Sequence, residues 1–160
     1  MRWLPWHRAG TQAGPSVMKH PRAARVKREV ALLRLRFKKV EYDDLGYRWV
    51  HLPTFELPEG WNKRETELLV LLPPAYPQLP PDGFFLDRRL TTRRGRTPGH
   101  YFQEQSSHNP YADRGWAWYC MHVSSEGRGG WRATADILEG DSLLTYIELI
   151  RLVLSQAAKE

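Results

Sequence analysis

The chain has 160 residues, 41% of them apolar and 26% charged, with 24 Lys or Arg against 18 Asp or Glu for a formal charge of +6. That size fits one globular domain able to stand without disulfides or a structural metal, and the single cysteine, Cys120, excludes both an intramolecular disulfide and a cysteine-rich zinc site. The longest apolar run, Leu68 to Leu72, is far short of the about 20 residues a membrane-spanning helix needs, so a soluble, cytoplasmic protein with no membrane partner is expected.

The charge is unevenly placed. Residues 1–39 hold eleven Lys or Arg and one acid, Glu29, whereas residues 40–160 hold thirteen basic and seventeen acidic residues. Residues 1–20 mix Trp, Pro, Gly and Arg without a period and read as a disordered basic extension to a domain over 21–157. From Pro21 onward, Val26, Val30, Leu33 and Phe37 form one apolar stripe among Arg and Lys, which predicts an amphipathic helix over about Arg22 to Leu35. Such a basic helix can face an acidic protein or a phosphate backbone, and the same charges are what any solvated helix face carries. No aromatic residues are interleaved as single-strand nucleic-acid binding requires, which makes nucleic acid the weaker reading.

Strand-like segments follow. Phe37–Tyr42 and Tyr47–Phe55 read as a hairpin turned by Asp43 to Gly46, with Tyr47, Trp49 and His51 on one face and Arg48, Val50 and Leu52 on the other. Thr66–Leu72 is a short apolar run suited to a central strand. The prolines of PPAYPQLPP, residues 73–81, fix φ and remove donors, so a rigid extended crossover is expected, followed by a fourth strand at Gly83–Asp87. Arg88–Gly115 keeps no period and reads as a long functional loop carrying a second basic run; Trp116–Val123 is aromatic and apolar around Cys120; Glu126–Gly130 is a flexible turn. Asp141 is the expected cap of a last helix with the stripe Leu143, Tyr146 or Ile147, Ile150 and Leu154. Consecutive strands flanked by terminal helices give an α+β fold with a four-stranded antiparallel meander.

These residues resemble a family. Tyr76-Pro77-Gln78-Leu79-Pro80-Pro81 followed by Phe84-Phe85, the isolated Cys120 in Tyr119-Cys120-Met121, then Trp131 and a helix over Leu143 to Leu154, resemble the ubiquitin-conjugating enzymes. The segments Tyr47 to Pro53 and Leu57 to Asn62 are similar to the bacterial group called prokaryotic family E. The resemblance covers about Arg22 to Leu154. It implies a cysteine that carries a ubiquitin-like protein as a thioester and passes it to an amine, with no cofactor. An activating (adenylating) enzyme would dock on the basic first helix at Arg25, Lys27 and Arg28, and a deconjugating metallopeptidase would be encoded in the same operon, in some cases tied to defence against phage. Tyr76, Pro77, Pro80, Pro81 and Trp131 would be the structural crossover. One departure is visible. The eukaryotic enzymes set a His-Pro-Asn tripeptide shortly before the cysteine, the asparagine serving the oxyanion, whereas here the order is His108-Asn109-Pro110 and Asn109 lies eleven residues ahead of Cys120.

Cys120 is thus the candidate nucleophile, with His122, two residues on, as a base and Asn109 and His108 as candidate catalytic partners. Composition alone also allows Cys120 to be a small buried hydrophobe among Trp116, Trp118, Tyr119 and Met121, and His122 a bystander. A non-catalytic platform for a ubiquitin-like protein or an activating enzyme fits the permuted tripeptide. A zinc site using Cys120, His122 and His100 or His108 lacks ligand spacing, and a papain-like hydrolase lacks a cysteine at a helix start. Asp136, Glu139 and Asp141 could orient an attacking amine, although capping explains Asp141 more simply.

Overall fold

A computed structural model describes residues 20–160. The expected disordered extension, residues 1–20, lies outside the described residues apart from His20. Helix α1, Ala23–Leu33, buries Ala23, Val26, Val30 and Leu33, so the apolar stripe faces the core as its spacing predicts. The helix ends two residues short of the expected limit, and Leu35 is exposed.

The sheet has six antiparallel strands rather than four. They are β1 (Glu41–Tyr42), β2 (Trp49–Glu56), β3 (Glu65–Leu71), β4 (Gly83–Asp87), β5 (Tyr101–Phe102) and β6 (Trp116–Cys120), in the spatial order β1-β2-β3-β4-β6-β5. The first four form the predicted meander, and β1 pairs with β2 through Glu41 with His51 and Tyr42 with Val50. Their turn is organised by Asp43, whose carboxylate accepts from the amides of Leu45, Gly46 and Arg48 and from Arg48 Nε. The two extra strands come from the segment read as a loop and its aromatic end. In β6 both faces are apolar, so no alternation marks it as a strand. The prolines 73–81 join no ladder, as expected, yet the segment is coiled rather than extended: the Tyr76 amide donates to Pro73 O and that of Leu79 to Ala75 O.

Alternation along β2 separates two cores. Val50, Leu52 and Phe55 join Leu68, Val70, Phe84, Leu86, Ala117 and Tyr119 beneath α1 and α2, the latter spanning Leu143–Ala157. Trp49 joins Leu69, Phe85 and Trp116 on the opposite face, where Tyr111 of the preceding loop covers them. His51 is also on that face, its ring edge-on to Trp116 and its two nitrogens 3.0 Å from Glu41 Oε2 and 3.1 Å from Glu67 Oε2.

Helix α2 is capped by Ser142 and not by Asp141. Ser142 is extended at the N-cap position, and Thr145 Oγ1 accepts its amide at 2.9 Å, the return half of a capping box. Asp141 instead closes the loop behind it, accepting the Arg132 amide at 2.7 Å. The helices and the crossover meet at Glu29. This fully buried carboxylate accepts from Arg25 Nε, from the Tyr76 hydroxyl and, at 3.1 Å, from the Leu143 amide at the start of α2.

Candidate active site

Strand β6 ends at Cys120, and its pairing with β4 decides what meets the sulfur. Gly83 stands opposite Cys120. A Cβ at Gly83 would lie 2.5 Å from Trp118 Nε1 and 2.6 Å from Tyr119 O, and its φ is +146°, so only glycine lets the strand ends close here. Asp82, the residue before it, is thereby brought beside the chain that leaves Cys120. His122 Nδ1 lies 2.7 Å from Asp82 Oδ1, and His122 Nε2 lies 3.0 Å from Cys120 Sγ.

The hydrogen positions follow from donor chemistry. An ionised carboxylate only accepts, so Nδ1 carries the imidazole proton and Nε2 presents its lone pair to the thiol. Burial pushes the Cys120 thiol up, and the negative charge of Asp82 pushes it the same way. The sulfur therefore keeps its proton and donates it to Nε2. A thiol, a base in hydrogen-bond contact and a carboxylate behind that base make up an activated nucleophile. The site is open: Cys120 is half-buried, and the side chains of His122 and Asp82 are 67% and 79% exposed. Among the described residues, surface clefts of about 120 to 630 Å³ lie away from the site, lined by residues other than Cys120, His122 and Asp82.

The backbone at the sulfur is fixed from the other edge, where the Cys120 amide donates to His100 O at 2.9 Å. From below, Tyr146 of α2 brings a buried phenol beside Gly83 without a well-formed hydrogen bond. Burial pushes that phenol far up, and the charge of Asp82 adds to the shift.

The other candidate residues go elsewhere. Asn109 is fully buried, and its Nδ2 donates to both Phe102 O and Trp116 O at 2.9 Å. Both amide hydrogens are spent on clamping the loop to β5 and β6, leaving none for an oxyanion at Cys120. His108 stacks on Trp118 and Phe102 on the outer face of the sheet, with ring centroids 5.6 and 5.2 Å apart. Neither it nor His100 joins a metal site: among the described residues no cluster of three or more His, Cys, Asp or Glu could hold an ion.

Arg25, expected to dock a partner, is a structural tie. Besides Glu29, its guanidinium donates to Thr134 O and, at 2.8 Å, to Asp141 O, leaving little of it exposed. Lys27 and Arg28 remain exposed, with Lys27 Nζ 5.9 Å from the centre of the Tyr47 ring. In the crossover, Trp131 Nε1 donates to Pro77 O at 2.7 Å and Trp131 packs against Tyr76 and Tyr146. Pro81 is buried and Pro80 half-buried.

The model of the family described as prokaryotic E2 family E matches residues 27–157. The chain belongs to prokaryotic E2 family E. Comparison with curated proteins finds no match, and neither does comparison with solved structures. Membership in prokaryotic E2 family E gives the chain a conjugating-enzyme-like character and, in general terms, a ubiquitin-like protein and an activating enzyme as partners. The matched span contains Cys120, His122 and Asp82. No helix among the described residues is long and apolar enough to cross a membrane.

Asp82 is the residue that reading the sequence missed. It sits 40 positions before His122, and only the register of β4 against β6 joins them. The signal available was an acid immediately after the proline block, next to a glycine opening a strand.

Proposed function

We propose that this member of prokaryotic E2 family E accepts the carboxy-terminal acyl group of a ubiquitin-like protein as a thioester on Cys120 Sγ and passes it to an amine. The observation that carries this reading is the 3.0 Å contact between the half-buried sulfur and His122 Nε2. In the first step the Sγ proton moves to Nε2 as sulfur attacks the thioester carbonyl of the activating enzyme. A new C–S bond forms, the old one breaks, and the departing thiolate takes a proton. Exchange between two thioesters is close to balanced, so the site has only to take the thiol proton as sulfur attacks and to orient the donor. The openness of the site suits a donor and an acceptor that are both proteins.

A platform without catalysis is the competing reading, and the engaged amide of Asn109 favours it, because one familiar oxyanion donor is absent. One experiment separates the two. The protein is mixed with ATP and with the ubiquitin-like protein and activating enzyme encoded beside its gene, and the products are resolved on non-reducing gels. The enzyme reading expects an adduct that thiol reagent destroys and Cys120→Ala abolishes, while Cys120→Ser gives a slower, thiol-resistant oxyester. Normal conjugate formation by Cys120→Ala refutes it.

A further inference from the structure

The Asp82–His122 pair does more than an amine acceptor requires. A deprotonated amine is a strong nucleophile towards a thioester and sheds its extra proton after the C–N bond has formed. An alcohol is not. A hydroxyl that adds to a carbonyl without losing its proton is expelled again in preference to sulfur, so a base must take that proton during the attack. Once an acyl group occupies Sγ, the thiol proton is gone and Nε2 of His122 is left with a free lone pair about one hydrogen-bond length from the reacting sulfur. Asp82 keeps the proton on Nδ1 and stabilises the imidazolium as it forms, which is the role of the carboxylate in acyl-transfer triads.

We propose that Cys120 also delivers its acyl group to hydroxyl acceptors of the serine and threonine type, forming oxyesters, with His122 as general base and Asp82 as its positioning residue. This rests on Cys120 being the acyl carrier. The step balances: the hydroxyl oxygen forms the new C–O bond, its proton passes to Nε2, the C–S bond breaks, and the imidazolium returns that proton to the departing Sγ. Burial and the charge of Asp82 both hold the thiol in its protonated form, which favours the last transfer.

Two observations point away from a site built for amines alone. Of the carboxylates after the cysteine that could orient an ammonium group, Asp136 and Asp141 are engaged in their own loop, by the Leu138 amide at 2.9 Å and the Arg132 amide at 2.7 Å, while Glu139 is exposed. Asp82, the carboxylate in contact with His122, is aimed at the imidazole.

The test uses the full chain and a synthetic peptide ending in Gly-Gly as its α-thioester, which loads Cys120 without other proteins. Loading is followed by intact mass, and discharge is then timed at pH 7.5 with a threonine peptide, a lysine peptide or water as acceptor. The expected result is a threonine oxyester, cleaved by hydroxylamine, whose rate falls about 10²-fold in His122→Gln and by a smaller factor in Asp82→Asn. In both variants the threonine rate should fall by a larger factor than the rate of discharge to lysine at pH 9, a contrast that misfolding or a purely structural role would not give. Loading without any threonine ester, or a threonine rate unchanged in His122→Gln, overturns the inference while leaving the thioester reading intact. Release only to water, accelerated by His122, overturns it as well. Failure of Cys120 to load at all overturns both.

Discussion

Removing the carboxylate of Glu29 should cost about 3 kcal/mol of stability. Glu29 takes three donors from three elements: Arg25 within α1, Tyr76 in the proline crossover and Leu143 at the first turn of α2. Glu29→Ala leaves the Tyr76 hydroxyl buried without an acceptor, strips the Leu143 amide of its partner and deprives Arg25 of its counter-charge. Breaking a buried ion pair from one side costs about 3–5 kcal/mol. Arg25 keeps Thr134 O and Asp141 O, which places the expected loss near the lower bound, about 3 kcal/mol. Domains of this size are stable by about 5–15 kcal/mol in all, so the variant should still fold. At a urea slope of about 2 kcal/mol/M, its midpoint should fall by about 1.5 M with the slope unchanged. Glu29→Gln keeps the volume and an acceptor oxygen and should lose about half as much. The assay is urea unfolding followed by tryptophan fluorescence and far-ultraviolet circular dichroism, including Arg25→Ala and the double variant. The losses from Glu29→Ala and Arg25→Ala should not add, because each removes the other's partner. A midpoint shift under about 0.3 M for Glu29→Ala, or fully additive losses, would refute the view that this junction ties the helices to the crossover.

Three other outcomes are expected. Burial pushes the Asp43 carboxyl up, but Arg48 and the amides of Gly46 and Arg48 outweigh it and hold the folded pKa below the ordinary range. Its contribution is therefore present above the unfolded value of about 3.9 and lost as pH falls through the folded one, so Asp43→Asn should destabilise at pH 7 and cost progressively less towards pH 2 in parallel urea titrations. An undiminished difference at pH 2 would count against it. Alkylation of Cys120 by iodoacetamide should titrate above the about 8.5 of a free thiol, and Asp82→Asn should move the midpoint down by removing a nearby negative charge; a midpoint at or below 8.5, or an upward move, contradicts the electrostatics of the site. Tyr146→Phe should change stability by less than about 1 kcal/mol, since the hydroxyl it removes has no well-formed bond, and a larger loss in thermal unfolding would reveal a partner.

The elements that carry a clean period could be read from the sequence, and those that do not could not. Val26, Val30 and Leu33 mark α1, and Leu143, Ile147, Ile150 and Leu154 mark α2, because each helix buries one stripe. Strand β6 escaped because Trp116, Ala117, Trp118 and Tyr119 are apolar towards both cores, and β5 because two residues hold no period. The cap of α2 was misplaced by one residue: Asp141 and Ser142 are both competent acceptors, and the extended backbone of Ser142 selects between them. Arg25 was legible as a basic residue on a helix but not as a tie to Thr134 and Asp141, more than a hundred positions away. Within the site, Cys120 and His122 share a face of an extended segment and were visible as a pair. Asn109 was drawn in by its neighbours in the chain, whereas its two donor hydrogens answer to Phe102 and Trp116. Asp82 depends on a strand register that residue order alone does not specify.

The pairing of Gly83 with Cys120 is the last rung of the β4–β6 ladder, and Asp82 and His122 hang from opposite uprights just beyond it. Fraying of that single rung parts the imidazole from its carboxylate while the cores on both sides of the sheet stay intact. Opening at a strand end needs far less free energy than global unfolding. Gentle warming should therefore silence the trio well before the domain melts, and recovery on cooling should be as quick as the rung can re-zip.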